Sequence, residues 1–147
     1  HTGDKGHIDD DGFLYITGRI KDMFKTSKGK YIEPGVLEAY FGDVNEFAQL
    51  CVVGLGCDQP LLLAVPSESA IKNKEITNSK ISEILNKVNS NLDNYKKMPK
   101  VVFVKEDWLP ENGMTTPTLK IKRSKIDEKF SNQYNNWLKS SEDVIWE

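Results

Sequence analysis

Three short stretches of the chain are almost continuously apolar: residues 47–55, 61–65 and 101–104. β-Branched residues recur in them, and runs of this length suit strands covered on both faces. Between the second and third, Ile81, Ile84, Leu85, Val88, Leu92 and Tyr95 recur at steps of three and four, which predicts a long amphipathic helix. Thr77, Asn78 and Ser79 offer capping side chains for its start, and Pro99 bounds its end. Val36, Leu37, Tyr40 and Phe41 fall on one face of a shorter helix. Pro34 opens it, since its missing N–H costs nothing in a first turn, and Gly42 stops it.

Residues 122–130 and 133–138 read as short helices, and residues 111–118, rich in Gly, Thr and Pro, as a loop. Two hairpins come earlier. In residues 7–17, an Asp-Gly pair precedes a β-prone run from Phe13 to Thr17. In the second, Met23, Phe24, Lys25 and Thr26 lead through Lys28 and Gly29 to Tyr31 and Ile32. Charged residues 18–22 separate the two as a linker would. The sum is an α+β fold: a small sheet of about three strands flanked by helices, plus β-hairpins.

Composition narrows the classes. The 147 residues are 38% hydrophobic and 29% charged, as in an ordinary globular domain, and the formal charge of -2 gives no global pull toward nucleic acid or anionic membrane. The longest apolar runs fall far short of the roughly 20 residues that span a bilayer. No signal-peptide pattern is visible. The chain starts at His1 rather than Met, so it is expected to be a piece of a longer protein. Cys51 and Cys57 read as two buried thiols. No metal site is expected, because structural zinc takes four ligands and His1 and His7 do not complete such a set.

Three polar clusters lie in predicted loops, where function is often carried. They are Thr2-Gly3-Asp4; Gly18-Arg19-Ile20-Lys21-Asp22, continuing through Lys25 to Gly29; and Thr115-Thr116-Pro117-Thr118-Leu119-Lys120, with Lys122 and Arg123 beyond. Each alone has a bland reading. The first is a turn before a hairpin, the second solvated linker charge, and the third a solvated helix face balanced by Asp127 and Glu128.

In this order, together with Gly29-Lys30-Tyr31-Ile32-Glu33-Pro34 and Glu38, the clusters resemble the late motifs of the adenylate-forming superfamily. That superfamily includes acyl-CoA synthetases, peptide-synthetase adenylation domains and luciferases. The resemblance covers essentially the whole chain. Its wording is similar to the long-chain fatty acid–CoA ligase branch, through Ser27-Lys28-Gly29-Lys30-Tyr31-Ile32-Glu33-Pro34 and the bulky Leu119 where other branches carry Gly.

The resemblance implies an enzyme that makes an acyl-adenylate from a fatty acid and ATP and then passes the acyl group to CoA. Lys120 matches the catalytic lysine of adenylation; an ammonium there offsets the repulsion between carboxylate and α-phosphate. Asp4 matches the carboxylate that accepts hydrogen bonds from the ribose hydroxyls, and Arg19 a nucleotide-contacting arginine. Lys21 matches the hinge about which the C-terminal domain swings between the two half-reactions. Gly29 matches the loop lining the pantetheine tunnel, and Lys28 and Lys30, with Lys25, are candidates to hold CoA phosphates.

The implied division is residues 1–20 as the end of a large N-terminal domain and 21–147 as the mobile C-terminal domain. ATP, CoA and Mg2+ are the implied cofactors, held mainly by the large domain, which is the implied partner. The chain alone is expected to be inactive. The implied setting is cytoplasmic, with peripheral membrane contact left open. Alternatives are a ligase for another carboxylic acid and a basic-helix nucleic-acid module on residues 120–129, disfavoured by Asp127, Glu128 and the absence of interleaved aromatics. The last is a protein-interaction domain with Trp108, Trp137 and Trp146 as exposed anchors, against the favoured reading that the first two help cover the core.

Overall fold

The computed structural model describes residues 4–8, 14–19 and 23–147. Strands β1 (Asp4–Ile8) and β2 (Leu14–Arg19) pair antiparallel, so the predicted first hairpin has its two arms; its turn lies outside the described residues. Strands β3 (Phe24–Lys25) and β4 (Tyr31–Ile32) form the predicted second hairpin. Helix α1 (Pro34–Ala39) follows, with Pro34 in its first turn.

The main sheet runs β5 (Phe47–Val53), β6 (Leu61–Pro66), β7 (Val101–Phe103), β8 (Val144–Trp146) in that spatial order. β5 and β6 are antiparallel; β6–β7 and β7–β8 are parallel. Helices α2 (Glu68–Lys72) and α3 (Lys74–Asn89) make the first crossover, and α4 (Arg123–Phe130) and α5 (Tyr134–Leu138) lie on the second. The α+β architecture matches the expectation, with one strand more than the apolar runs predict.

The continuous apolar runs follow from helices on both sheet faces. Val52, Leu62, Ala64, Val101 and Phe103 face Leu37 and Phe41 of the α1 region and Ile81, Leu85 and Val88 of α3. Their neighbours Cys51, Val53, Leu61, Leu63, Val102 and Val104 face Ile126, Phe130 and Tyr134 on the other side. The period-two alternation therefore sorts successive residues between two cores. Both cysteines are buried free thiols.

Several local readings need correction. α3 starts at Lys74 without a side-chain cap, so the 77–79 segment does not cap it. The separate helix α2 is capped by Ser67, whose Oγ accepts from the Ala70 N–H at 3.3 Å. Thr77 sits inside α3, buried, and its hydroxyl donates to the Ala70 carbonyl at 3.3 Å. Leu92 and Tyr95 lie beyond the helix yet still pack on its core, so periodicity tracked burial past the point where the backbone leaves the helix. Of the four residues predicted to share a face, Leu37 and, past the helix, Phe41 are inward; Val36 and Tyr40 are exposed.

The tryptophans are not free anchors. Trp108 is fully buried, Trp137 packs on the second core, and Trp146 stacks on Phe103 with ring centroids 4.4 Å apart. Among the described residues no helix is long and apolar enough to cross a membrane.

Candidate functional site

The Lys120 segment is a small hairpin. Thr115 bridges Ile121, and the Lys122 N–H donates to the Met114 carbonyl at 2.8 Å. At the tip the Leu119 N–H donates to the Thr116 carbonyl at 2.8 Å, closing a β-turn with Pro117 in its second position, where a fixed φ is preferred. Leu119 follows in the left-handed region, φ 66°. This is the position of a three-residue hairpin loop that favours Gly. The Lys120 N–H then donates to Thr116 Oγ1 at 3.1 Å, and the Thr116 N–H to the Lys120 carbonyl at 2.8 Å.

Thr115 is buried at the foot of this loop, whereas Leu119 and Lys120 are exposed at its tip. Lys120 lies on the wall of an open cleft of about 620 Å³, shared with Met23, Phe24, Leu55, Arg123 and Asp127. An amine so placed is free to enter a pocket formed by another body, while the backbone behind it is held.

Lys122 and Lys125 are exposed, as a solvated face would be, but Arg123 is not. Its Nη2 donates to Glu38 Oε2 at 2.5 Å and its Nε to the Val52 carbonyl at 3.1 Å, with side-chain exposures of 15% for Arg123 and 22% for Glu38. Asp127, one turn further along α4, accepts from the Tyr134 hydroxyl at 2.7 Å. Burial pushes Asp127 above the usual carboxylate range, and burial together with its bond to Asp127 pushes Tyr134 up. The Cys51 thiol, also beside Arg123, is pushed up to about 12 by burial. Arg123 is tethered by its ion pair, whereas Lys120 and Lys122 are exposed cations on this wall.

The β3–β4 turn carries Lys28, Gly29 and Lys30, all exposed. Gly29 has φ 81°, a conformation that glycine adopts without strain, and donates its N–H to the Thr26 carbonyl at 3.0 Å. A Cβ there would meet only Lys25 Cε, at 3.8 Å, so space around it is open. The turn is tied to the β5–β6 connection. The Ser27 N–H donates to the Cys57 carbonyl at 2.9 Å, the Gly56 N–H to the Lys25 carbonyl at 3.1 Å, and the Ser27 hydroxyl to Asp58. The ammonium of Lys30 lies over the Tyr95 ring at 5.7 Å and that of Lys25 over Tyr31 at 5.5 Å. Lys28, Gly29 and Lys30 do not line the Lys120 cleft.

Asp4 and Arg19 are directly opposed in the β1–β2 register, so the fold brings these two predicted residues together. Lys21, and with it the predicted boundary between residues 20 and 21, lies outside the described residues. Sequence reasoning missed the Arg123–Glu38 pair; its one signal was that Glu38 belonged to the motif series while Arg123 followed the candidate lysine by three residues.

Comparison with known proteins adds a family. The sequence model described as the AMP-binding enzyme C-terminal domain matches residues 21–142. Long chain acyl-CoA synthetase 8 of Arabidopsis thaliana is 29% identical over 90% of this chain and 21% of its own length. The long-chain-fatty-acid–CoA ligase FadD15 of Mycobacterium tuberculosis is 31% identical over 88% of this chain and 25% of its own. The chain thus spans about a quarter or less of the length of these relatives. Among solved structures, the adenylation domain of a carboxylate reductase from Mycobacterium chelonae superposes with a TM-score of 0.77 at 20% identity, over 95% of this chain and 23% of that one, a likeness of fold.

Proposed function

Because this chain belongs to the family of AMP-binding enzyme C-terminal domains, we propose that it is the mobile C-terminal part of a long-chain fatty acid–CoA ligase. In the first half-reaction a fatty acid carboxylate oxygen attacks the α-phosphorus of ATP, forming the acyl-adenylate and releasing pyrophosphate. In the second, the CoA sulfur attacks the acyl carbonyl carbon and AMP departs.

Lys120 is the catalytic residue of the first step. Its ammonium bridges the incoming carboxylate and the α-phosphate and stabilises charge at the reacting phosphorus, as preorganised cations do in phosphoryl-type chemistry. Asp4 binds the ribose hydroxyls and Arg19 the nucleotide; their opposed register supports a shared nucleotide contact. Lys21 is the hinge, with residues 1–20 belonging to the large domain. After the pivot Gly29 lines the path of the pantetheine arm, and Lys28 and Lys30 meet the CoA phosphates.

Among the described residues no three His, Cys, Asp or Glu side chains converge as metal ligands. Mg2+ is assigned mainly to the large domain.

The observation that carries this reading is the exposed Lys120 on a backbone-braced hairpin at the rim of an open cleft. Relatives named as long-chain ligases support the acyl class. The test is acid-dependent ATP–pyrophosphate exchange by the polypeptide carrying this chain with its large domain. Long-chain fatty acids are expected to exceed short aryl acids by about tenfold or more in kcat/KM, a difference of about 1.4 kcal/mol. Exchange with no fatty acid, or a comparable preference for an aryl acid, would overturn the proposal.

A further inference from the structure

β5 is one of the two edge strands of the main sheet, and among the described residues no strand pairs with its outer side. Open edges leave N–H and C=O groups without a strand partner. At Val52 both groups are taken by one ion pair: the N–H donates to Glu38 Oε2 at 2.8 Å, and the carbonyl accepts from Arg123 Nε at 3.1 Å. Carboxylate and guanidinium also bond each other. The pair therefore substitutes for the missing strand at this residue and joins three elements, α1, β5 and α4.

Its place relative to the candidate chemistry is informative. Arg123 is the first residue of α4 and follows Lys120 by three positions. The residue before it, Lys122, provides no side-chain cap for that helix. The start of α4 is instead held from a distance by Glu38. Glu38 lies on α1, which begins two residues after β4, the strand that leaves the Gly29 turn. Charge-assisted hydrogen bonds of this kind are short and directional, and a guanidinium makes two at fixed angles.

We propose that Arg123 and Glu38 are a positioning pair for the adenylation step, fixing the base of the Lys120 hairpin against β5 so that the ammonium reaches the reacting phosphate in one place. Neither touches substrate. The pair bears on the first half-reaction only, because the Gly29 turn has its own supports in the β3–β4 ladder and in its bonds to residues 56–58. The inference rests on the role given to Lys120 above.

The experiment uses the polypeptide with its large domain and measures the half-reactions separately for Arg123→Gln, Arg123→Lys, Glu38→Gln and Lys120→Ala. Acyl-adenylate formation in Arg123→Gln and Glu38→Gln is expected to fall in kcat by about 10- to 100-fold, the size of loss that a displacement of about 1 Å produces. KM for the fatty acid should stay within about twofold, and so should thioester formation from supplied acyl-adenylate, because uniform binding is untouched. Arg123→Lys, which keeps the charge and loses the fork, should fall between.

Equal loss in both half-reactions, or unimpaired adenylation in a folded variant, overturns the inference. Should Arg123→Gln not fold, Glu38→Gln, which keeps an oxygen for the Val52 N–H, decides the matter. Lys120→Ala separates the two levels. If it spares adenylation, the role of Lys120 itself fails. If it abolishes adenylation while Arg123→Gln and Glu38→Gln are unimpaired, only the positioning pair fails.

Discussion

Lys100 is a charged side chain inside the domain, 6% exposed, and its replacement by Met is the sharpest stability test that the fold offers. Its Nζ donates to the Ser140 carbonyl at 2.6 Å and the Glu142 carbonyl at 2.7 Å. Lys100 immediately precedes β7, and Glu142 lies just before β8, so the ammonium fastens the approach to the last strand. On either side of that strand the backbone closes the ladder, with the Val101 N–H donating to the Asp143 carbonyl at 2.9 Å and the Glu147 N–H to the Phe103 carbonyl at 2.8 Å. Met has a similar length and no charge.

The substitution removes two charge-assisted hydrogen bonds, each worth about 1.5–3 kcal/mol, and recovers the cost of burying an ammonium. The two carbonyls belong to half-buried and exposed residues, so water partly replaces the lost donor. A net loss of about 2–3 kcal/mol follows. With a urea slope of about 2 kcal/mol/M, the unfolding midpoint should drop by about 1–1.5 M. Hydrogen exchange should quicken first at the amides of β8, as expected for a locally released element. A midpoint within about 0.2 M of the parent chain, a change of about 0.4 kcal/mol at that slope, would refute the reasoning.

Other outcomes are equally definite. Gly54 has φ 134°, and a Cβ there would stand 2.9 Å from Pro60 Cα and 3.2 Å from the Gln59 carbonyl oxygen, so Gly54→Ala should cost about 3 kcal/mol in a urea titration. Gly56→Ala is the control; with φ 75° and nothing within 4 Å, it should cost about 1 kcal/mol. The Cys51 thiol, buried and pushed up to about 12, should resist alkylation at pH 8 in the folded chain and react only on unfolding, read by mass spectrometry. Asp127 binds its proton more tightly folded than unfolded, because burial raises its carboxyl. Its contribution is therefore favourable at low pH and is lost as pH rises from its unfolded value through its folded one. Asp127→Asn, which keeps an oxygen for the Tyr134 hydroxyl, should flatten stability across that window; an unchanged pH profile would sink the assignment.

Much of the fold was legible because burial writes itself into the sequence at short range. The runs at 47–55, 61–65 and 101–104 are apolar on consecutive residues because helices cover both sheet faces. β8 was not legible: Val144, Ile145 and Trp146 are only three residues, and their pairing depends on β7 and on a lysine forty positions upstream of Ser140. The α3 start was misplaced because Thr77 is a capping type used here as a buried donor inside the helix.

The candidate site shows the same division. Charge alone does not separate Lys120 from Lys122 or Lys125; the order of the motifs does. The hairpin that presents it was half visible in Pro117, while the left-handed backbone at Leu119 was hidden behind a residue that seldom adopts it. Arg123 looked like one more solvated cation because its partner, Glu38, is 85 residues away. Pairings at that separation are set by the tertiary fold and leave no local periodicity.

The amine of Lys120 is the claim on which the functional account stands, and single-turnover kinetics of Lys120→Ala test it most directly. Acyl-adenylate formation should fall by about 100-fold or more, the usual loss when one preorganised charge-stabilising group is removed, while thioester formation from supplied acyl-adenylate stays within a few fold. Comparable losses in both steps, or an adenylation rate that survives the substitution, would contradict it.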